Sequence, residues 1–92
     1  MVSPPADESR PHLAAGCRWG TQGEEPVILY PEGMIRLQAT SQTILELCDG
    51  KRNFAEIVSS LALRFTKADP LKIRSDVTAF LESLREKRIV DY

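Results

Sequence analysis

This chain predicts an α+β fold: a three-stranded antiparallel sheet followed by three helices, in a winged helix-turn-helix-like arrangement. Three observations point there. Short runs rich in β-branched and aromatic residues, punctuated by Gly and Pro, fill the stretch from His12 to Gln38. After Thr40 the apolar spacing changes from alternation to helical threes and fours. Each helical stretch opens on a residue suited to capping. Three strands cannot bury a sheet face by themselves, so the helices must cover it.

The strands come first. Residues 1–11 hold three prolines and three charged side chains without periodicity, so they read as a disordered tail ahead of a domain spanning 12–92. His12–Trp19 is a weak strand, with Leu13, Ala15, Cys17 and Trp19 alternating and Gly16 marking a bulge. Gly20-Thr21-Gln22-Gly23 reads as a turn. Pro26–Tyr30 is the strongest strand. Pro31-Glu32-Gly33 supplies a tight turn, because proline presets φ and glycine tolerates positive φ. Met34–Gln38 then returns as the third strand of a hairpin.

The helices follow. Thr40 or Ser41 is placed to cap the first, Ile44, Leu45, Leu47 and Cys48 give its apolar side, and Asp49-Gly50 stops it. The second covers about Phe54–Phe65, capped by Asn53 with Glu56 three residues on, the spacing of a capping box. Its stripe is Phe54, Ile57, Val58, Leu61 and Phe65. The third opens on Asp69-Pro70 and carries Ile73, Val77, Phe80, Leu81 and Leu84 on one face. Lys87 and Arg88 complement its C-terminal dipole, and Ile89-Val90 is a tail that packs back or adds a strand.

Composition narrows the function. Ninety-two residues, 42% apolar and 27% charged, make one small globular domain with little room for an active site under a lid. Cys17 and His12 would point to opposite faces of a strand, Glu24-Glu25 reads as a solvated loop pair, and the glycines form no phosphate loop. A lone histidine and two unclustered cysteines give no metal site, and no cofactor is implied. No apolar segment has the length of a membrane span or the form of a signal peptide, which makes the cytoplasm the expected location. The reading is therefore of a binding module, not an enzyme.

Three kinds of binding are open to it. A winged-helix DNA-binding regulator needs basic residues at the start of its recognition helix. Here Lys72 and Arg74 alternate with Asp69 and Asp76, and the formal net charge is −1, which disfavours nucleic acid. A dimerisation module would exchange strands through an open edge, so monomer and homodimer both stand. Peptide binding fits best. The edge strand Met34–Gln38 (Met34, Ile35, Arg36, Leu37 and Gln38) would accept a further strand, and Val77, Phe80 or Leu84 of the third helix would wall the groove. From Lys51 to Arg88 basic residues outnumber acidic ones nine to five, and Lys51-Arg52 and Arg85–Arg88 are the candidate surfaces for a protein partner.

Pro31-Glu32-Gly33, Leu37, Thr40, Ile44-Leu45, Leu47-Cys48-Asp49-Gly50 and Arg52, with Asp76-Val77 and Phe80-Leu81, also carry a resemblance. Over about His12 to Val90 the chain resembles the PqqD family, pyrroloquinoline quinone biosynthesis protein D. Gln38 stands where that family usually has asparagine, and Asn53 where threonine is common. The resemblance implies a peptide chaperone without catalytic activity, similar to the RiPP recognition element. Its implied partners are the ribosomal precursor peptide PqqA and the radical S-adenosylmethionine enzyme PqqE, to which the peptide is presented. It also implies where the peptide adds: beside Met34, Ile35, Arg36, Leu37 and Gln38, against Ile73, Asp76, Val77, Phe80 and Leu84. Arg36 and Arg74 would then meet acidic side chains of the peptide.

Overall fold

Two successive tight hairpins build the sheet. The computed structural model describes residues 3–92, and strands β2 (Arg18–Gln22), β3 (Glu25–Tyr30) and β4 (Gly33–Arg36) pair antiparallel in the order β2-β3-β4. Register pairs Trp19 with Ile28 and Ile28 with Ile35, so these three share a face. Ile28 is 1% exposed and belongs to the main core, with Ile35 and Tyr30 packed against it. The opposite face carries Val27 and Leu29 with their partners Arg36 and Met34. Val27 is fully buried there without joining the main core. The Arg36 Nε donates to Gln22 Oε1 at 3.0 Å, a strut across the central strand that helps to roof it.

The expected turn at Gly20–Gly23 is corrected. Gly20, Thr21 and Gln22 continue β2, and the turn lies at Gly23-Glu24. Glycine serves Gly20 by its missing side chain: a Cβ there would sit 2.8 Å from Leu29 Cδ1. The weak strand over His12–Trp19 is likewise split. A short strand β1 (His12–Leu13) is followed by a turn at Ala15-Gly16, where Gly16 has φ +86° and makes a turn, not a bulge. β1 pairs with β5 (Val90–Asp91), so the Ile89-Val90 tail both packs back and adds a strand.

Three helices cover the sheet: α1 (Ala39–Leu47), α2 (Phe54–Arg64) and α3 (Pro70–Glu86). The core they enclose includes Leu45, Phe54, Ile57, Leu61, Val77 and Leu81, all within 2% of complete burial. α2 begins with a full capping box, Asn53 Oδ1 accepting from the Glu56 N–H and Glu56 Oε1 from the Asn53 N–H. α3 begins as its sequence requires, with the Asp69 carboxylate on the Leu71 N–H and Pro70 in the first turn. α1 differs. Gln38, in extended conformation, is its N-cap, no side chain caps it, and Thr40 and Ser41 lie inside its first turn. The helix starts ahead of Thr40, so the cap position falls on Gln38, whose side chain makes no capping bond.

Of the segment expected as a tail, Met1 and Val2 lie outside the described residues. The remainder is laid along the helices. Pro5 and Pro11 are buried, the carbonyls of Ser9 and Asp7 accept from the N–H groups of Phe54 and Ala55, and the Asp7 carboxylate pairs with Arg74. This strap satisfies donors that every α-helix leaves open in its first turn. Periodicity could not reveal it, because backbone carbonyls and prolines make the contacts.

Candidate functional site

The edge of β4 is open. No strand lies beyond it among the described residues. Its hydrogen-bond phase follows from one contact past the strand's end, where the Leu37 N–H reaches the Pro26 carbonyl at 3.4 Å. Antiparallel pairing alternates, so Ile35 and Leu37 turn their main-chain groups toward β3. Met34 and Arg36 turn theirs outward, where no protein group among the described residues meets them. Two donors and two acceptors at a two-residue spacing are the elements of a strand-addition site.

A cleft of about 190 Å³ opens between α1, the end of α2 and the first half of α3. Thr40 and Ile44 of α1 form one wall, and Ile73, Asp76 and Val77 of α3 form another. Leu61, Phe65 and Ala68 close it from the end of α2 and the following turn. The lining is apolar except at Thr40 and Asp76. Asp76 is exposed and sits 3.7 Å from Lys72, a solvated pair one turn apart. A larger hollow of about 520 Å³ at the α2–α3 turn is bounded only by the consecutive residues Arg64–Ala68 and is shallow. A single turn of chain offers no second wall to read a ligand.

The sequence-derived site residues divide accordingly. Met34, Ile35 and Arg36 form the open strand; Leu37 extends its ladder by one bond, and Gln38 is the N-cap of α1. Ile73, Asp76 and Val77 line the cleft. Phe80 and Leu84 do not: Leu84 is 5% exposed in the core and Phe80 packs partly buried against it. Arg36 is engaged by Gln22 on the far face of the sheet. Arg74 is held by Asp7 and stacks over the Phe54 ring, 5.0 Å from its centroid. Thr40, expected as a cap, and Leu61 and Phe65, expected in the core stripe of α2, also line the cleft. The legible signal was the short α2–α3 connection, which must bring the end of one helix beside the start of the next.

Catalytic features are not evident among the described residues. No group of three or more His, Cys, Asp or Glu side chains is placed to hold a metal ion. Both cysteines are free thiols, and burial, reinforced by the charge of Asp49, pushes the Cys48 thiol up to about 12. A thiol held protonated in this way is a poor nucleophile. No described helix is long and apolar enough to cross a membrane.

Comparison with known proteins gives a consistent picture. The family model described as coenzyme PQQ synthesis protein D (PqqD) matches residues 25–90. A protein of Kluyvera intermedia named PqqA binding protein is 42% identical over 71 residues, covering 77% of this chain and 75% of that one. A Methylococcus capsulatus protein of the same name is 46% identical over 66 residues, covering 72% of this chain and 68% of its own. Among solved structures, the solution NMR structure of the PqqD truncation of Methylobacterium extorquens PqqCD, described as a functional and stand-alone RiPP recognition element, superposes with a TM-score of 0.75 at 27% identity. That match covers 95% of this chain and 94% of the other.

Proposed function

This chain belongs to the PqqD family, and from that premise we propose that it is a carrier for the PqqA precursor peptide, which it presents to the radical S-adenosylmethionine enzyme PqqE. The observation that carries the reading is the open β4 edge, followed four residues along the chain by an apolar cleft that starts at Thr40 of α1. A peptide laid antiparallel or parallel to β4 bonds to the outward groups of Met34 and Arg36. Its continuation reaches the cleft, which lies four residues along the chain from Arg36. Main-chain bonds supply affinity, and the cleft selects a side chain.

The curated relatives are named for PqqA binding, which supports the choice of peptide. Four to six main-chain bonds at about 0.5–1.5 kcal/mol each, less the cost of ordering the peptide, lead to an expected affinity near micromolar, about −8 kcal/mol. The DNA reading finds no comparable support. Lys72 and Arg74, the two cations at the start of α3, are paired with Asp76 and Asp7.

Calorimetry with the PqqA peptide, combined with amide chemical-shift mapping, tests the proposal. Binding with shifts concentrated at residues 34–38 and at Thr40, Ile73 and Val77 is the expected result. Arg36→Pro removes one outward donor and should weaken the peptide by up to about tenfold while the domain stays folded. No heat and no shifts in these residues would remove the idea.

A further inference from the structure

A second surface stands at the opposite ends of α1 and α2, where the two helices are joined by residues 48–53. Regular structure stops there, yet the backbone is tied on every side. Asp49 Oδ1 accepts the N–H groups of Lys51 and Arg52 at 2.9 and 3.1 Å, and Asp49 Oδ2 takes the Arg52 guanidinium at 2.6 Å. The Gly50 N–H, in a residue at φ +77°, donates to the Pro11 carbonyl at 3.0 Å. Across 41 residues of sequence, Arg10 Nη1 donates to the Lys51 carbonyl at 2.8 Å.

The polar backbone is thus satisfied internally, and the cationic side chains are what remains outward. Arg10, Lys51 and Arg52 are all exposed. Asp49 is the one carboxylate joined to them, and it is spent on Arg52 and the loop's own N–H groups. Neither Arg10 nor Lys51 forms an ion pair among the described residues. A small basic knob on a tied backbone therefore stands on a chain whose formal net charge is −1. The backbone beneath it is ordered before contact, so little main-chain entropy is lost when it docks. Its distance from the peptide site matters as much. The cleft meets α1 at Thr40 and Ile44 and α2 at Leu61 and Phe65, and the knob lies beyond the other ends of both helices, roughly 5–10 Å of helix from the nearest of these residues.

We propose that the 49–53 loop with Arg10 is the docking surface for an acidic patch on the enzyme that processes the bound peptide, so that carrier, peptide and enzyme assemble together. The inference rests on the peptide-carrier reading above. Positive charge on a tied backbone is suited to steering and orienting an acidic partner, and the separation leaves the cleft occupied by its peptide while the knob is engaged.

The test uses the full chain and its Arg10→Glu/Lys51→Glu variant, with the peptide alone and with the radical S-adenosylmethionine enzyme at saturating peptide. The expected result is peptide affinity unchanged within about twofold and enzyme affinity reduced at least about tenfold. Wild-type enzyme binding should also weaken with added salt. Arg10→Gln/Lys51→Gln, which removes charge without reversing it, should show a smaller loss and carries the test if the reversed variant fails to fold. Enzyme binding unchanged in both variants, with peptide binding intact, overturns the docking surface alone. Equal loss of peptide and enzyme binding overturns it too, since the knob would then belong to the peptide site. A variant that loses only duplex DNA binding in a salt-titrated gel shift overturns it in favour of nucleic acid. A wild-type chain that binds no peptide overturns the carrier reading first.

Discussion

The two ends of the α1–α2 pair are built on opposite terms. At one end lie the end of α1, the 49–53 loop and the start of α2. There Asp49, the Asn53–Glu56 capping box and the carbonyls of Asp7 and Ser9 account for the exposed donors. At the other end lie the start of α1 and the end of α2. There α1 has no side-chain cap, Phe65 is 38% exposed, and the outward groups of Met34 and Arg36 meet no partner among the described residues. The closed end holds the fold together. The open end leaves main-chain groups and apolar surface for another chain to satisfy. A small domain can concentrate its stability away from its binding site, and here the division falls across the length of two helices.

Mutation can break that contrast. Phe54→Ala strikes the closed end hardest, because Phe54 is 1% exposed beneath Arg74. We expect a loss of about 3–5 kcal/mol in urea denaturation; a loss below 1 kcal/mol would mean that this end is not the anchor. Cys48 makes the same point through pH. Its folded pKa is raised from an ordinary 9.0 to about 12, so above pH 9 the unfolded thiol ionises while the folded one holds its proton. Stability is intact below pH 9 and should fall as pH rises toward about 12. Cys48→Ala should flatten that slope relative to wild type in thermal melts at stepped pH.

Smaller changes sharpen the contrast. Asn53→Ala removes a cap and should cost about 1 kcal/mol, whereas Gln38→Ala, at a helix start without a side-chain cap bond, should cost less than half of that. Equal costs in paired denaturation curves would erase the difference between the ends. Asp7→Asn breaks an exposed ion pair with Arg74 and should cost no more than about 1 kcal/mol, with the effect shrinking further in salt. A larger loss would show that the strap's ion pair to α3 secures the fold beyond its carbonyl bonds to α2.

Much of this was legible in the residues. Asp69-Pro70 and Asn53 with Glu56 state where α3 and α2 begin, because a cap is a local bond between neighbours in sequence. The stripe Ile73, Val77, Leu81 and Leu84 states which side of α3 is buried. Pro31-Glu32-Gly33 fixes the hairpin that sets β4 beside β3. The motifs around it carried the family, since they lie in the stretch of the chain that the family model matches. Alternation misled where one glycine admitted a neighbour: Gly20 looked like a turn residue but sits in β2 to leave room for Leu29.

The chain by itself thus determined its helices, its principal hairpin and the class of its fold, all consequences of contacts between residues a few positions apart. Tertiary structure alone decided which edge of β4 stays unpaired, that Phe65 and Thr40 line one cleft, and that Asp7 and Ser9 come to the start of α2. Those outcomes depend on how elements pack over dozens of residues, and backbone carbonyls leave no mark in the side-chain pattern.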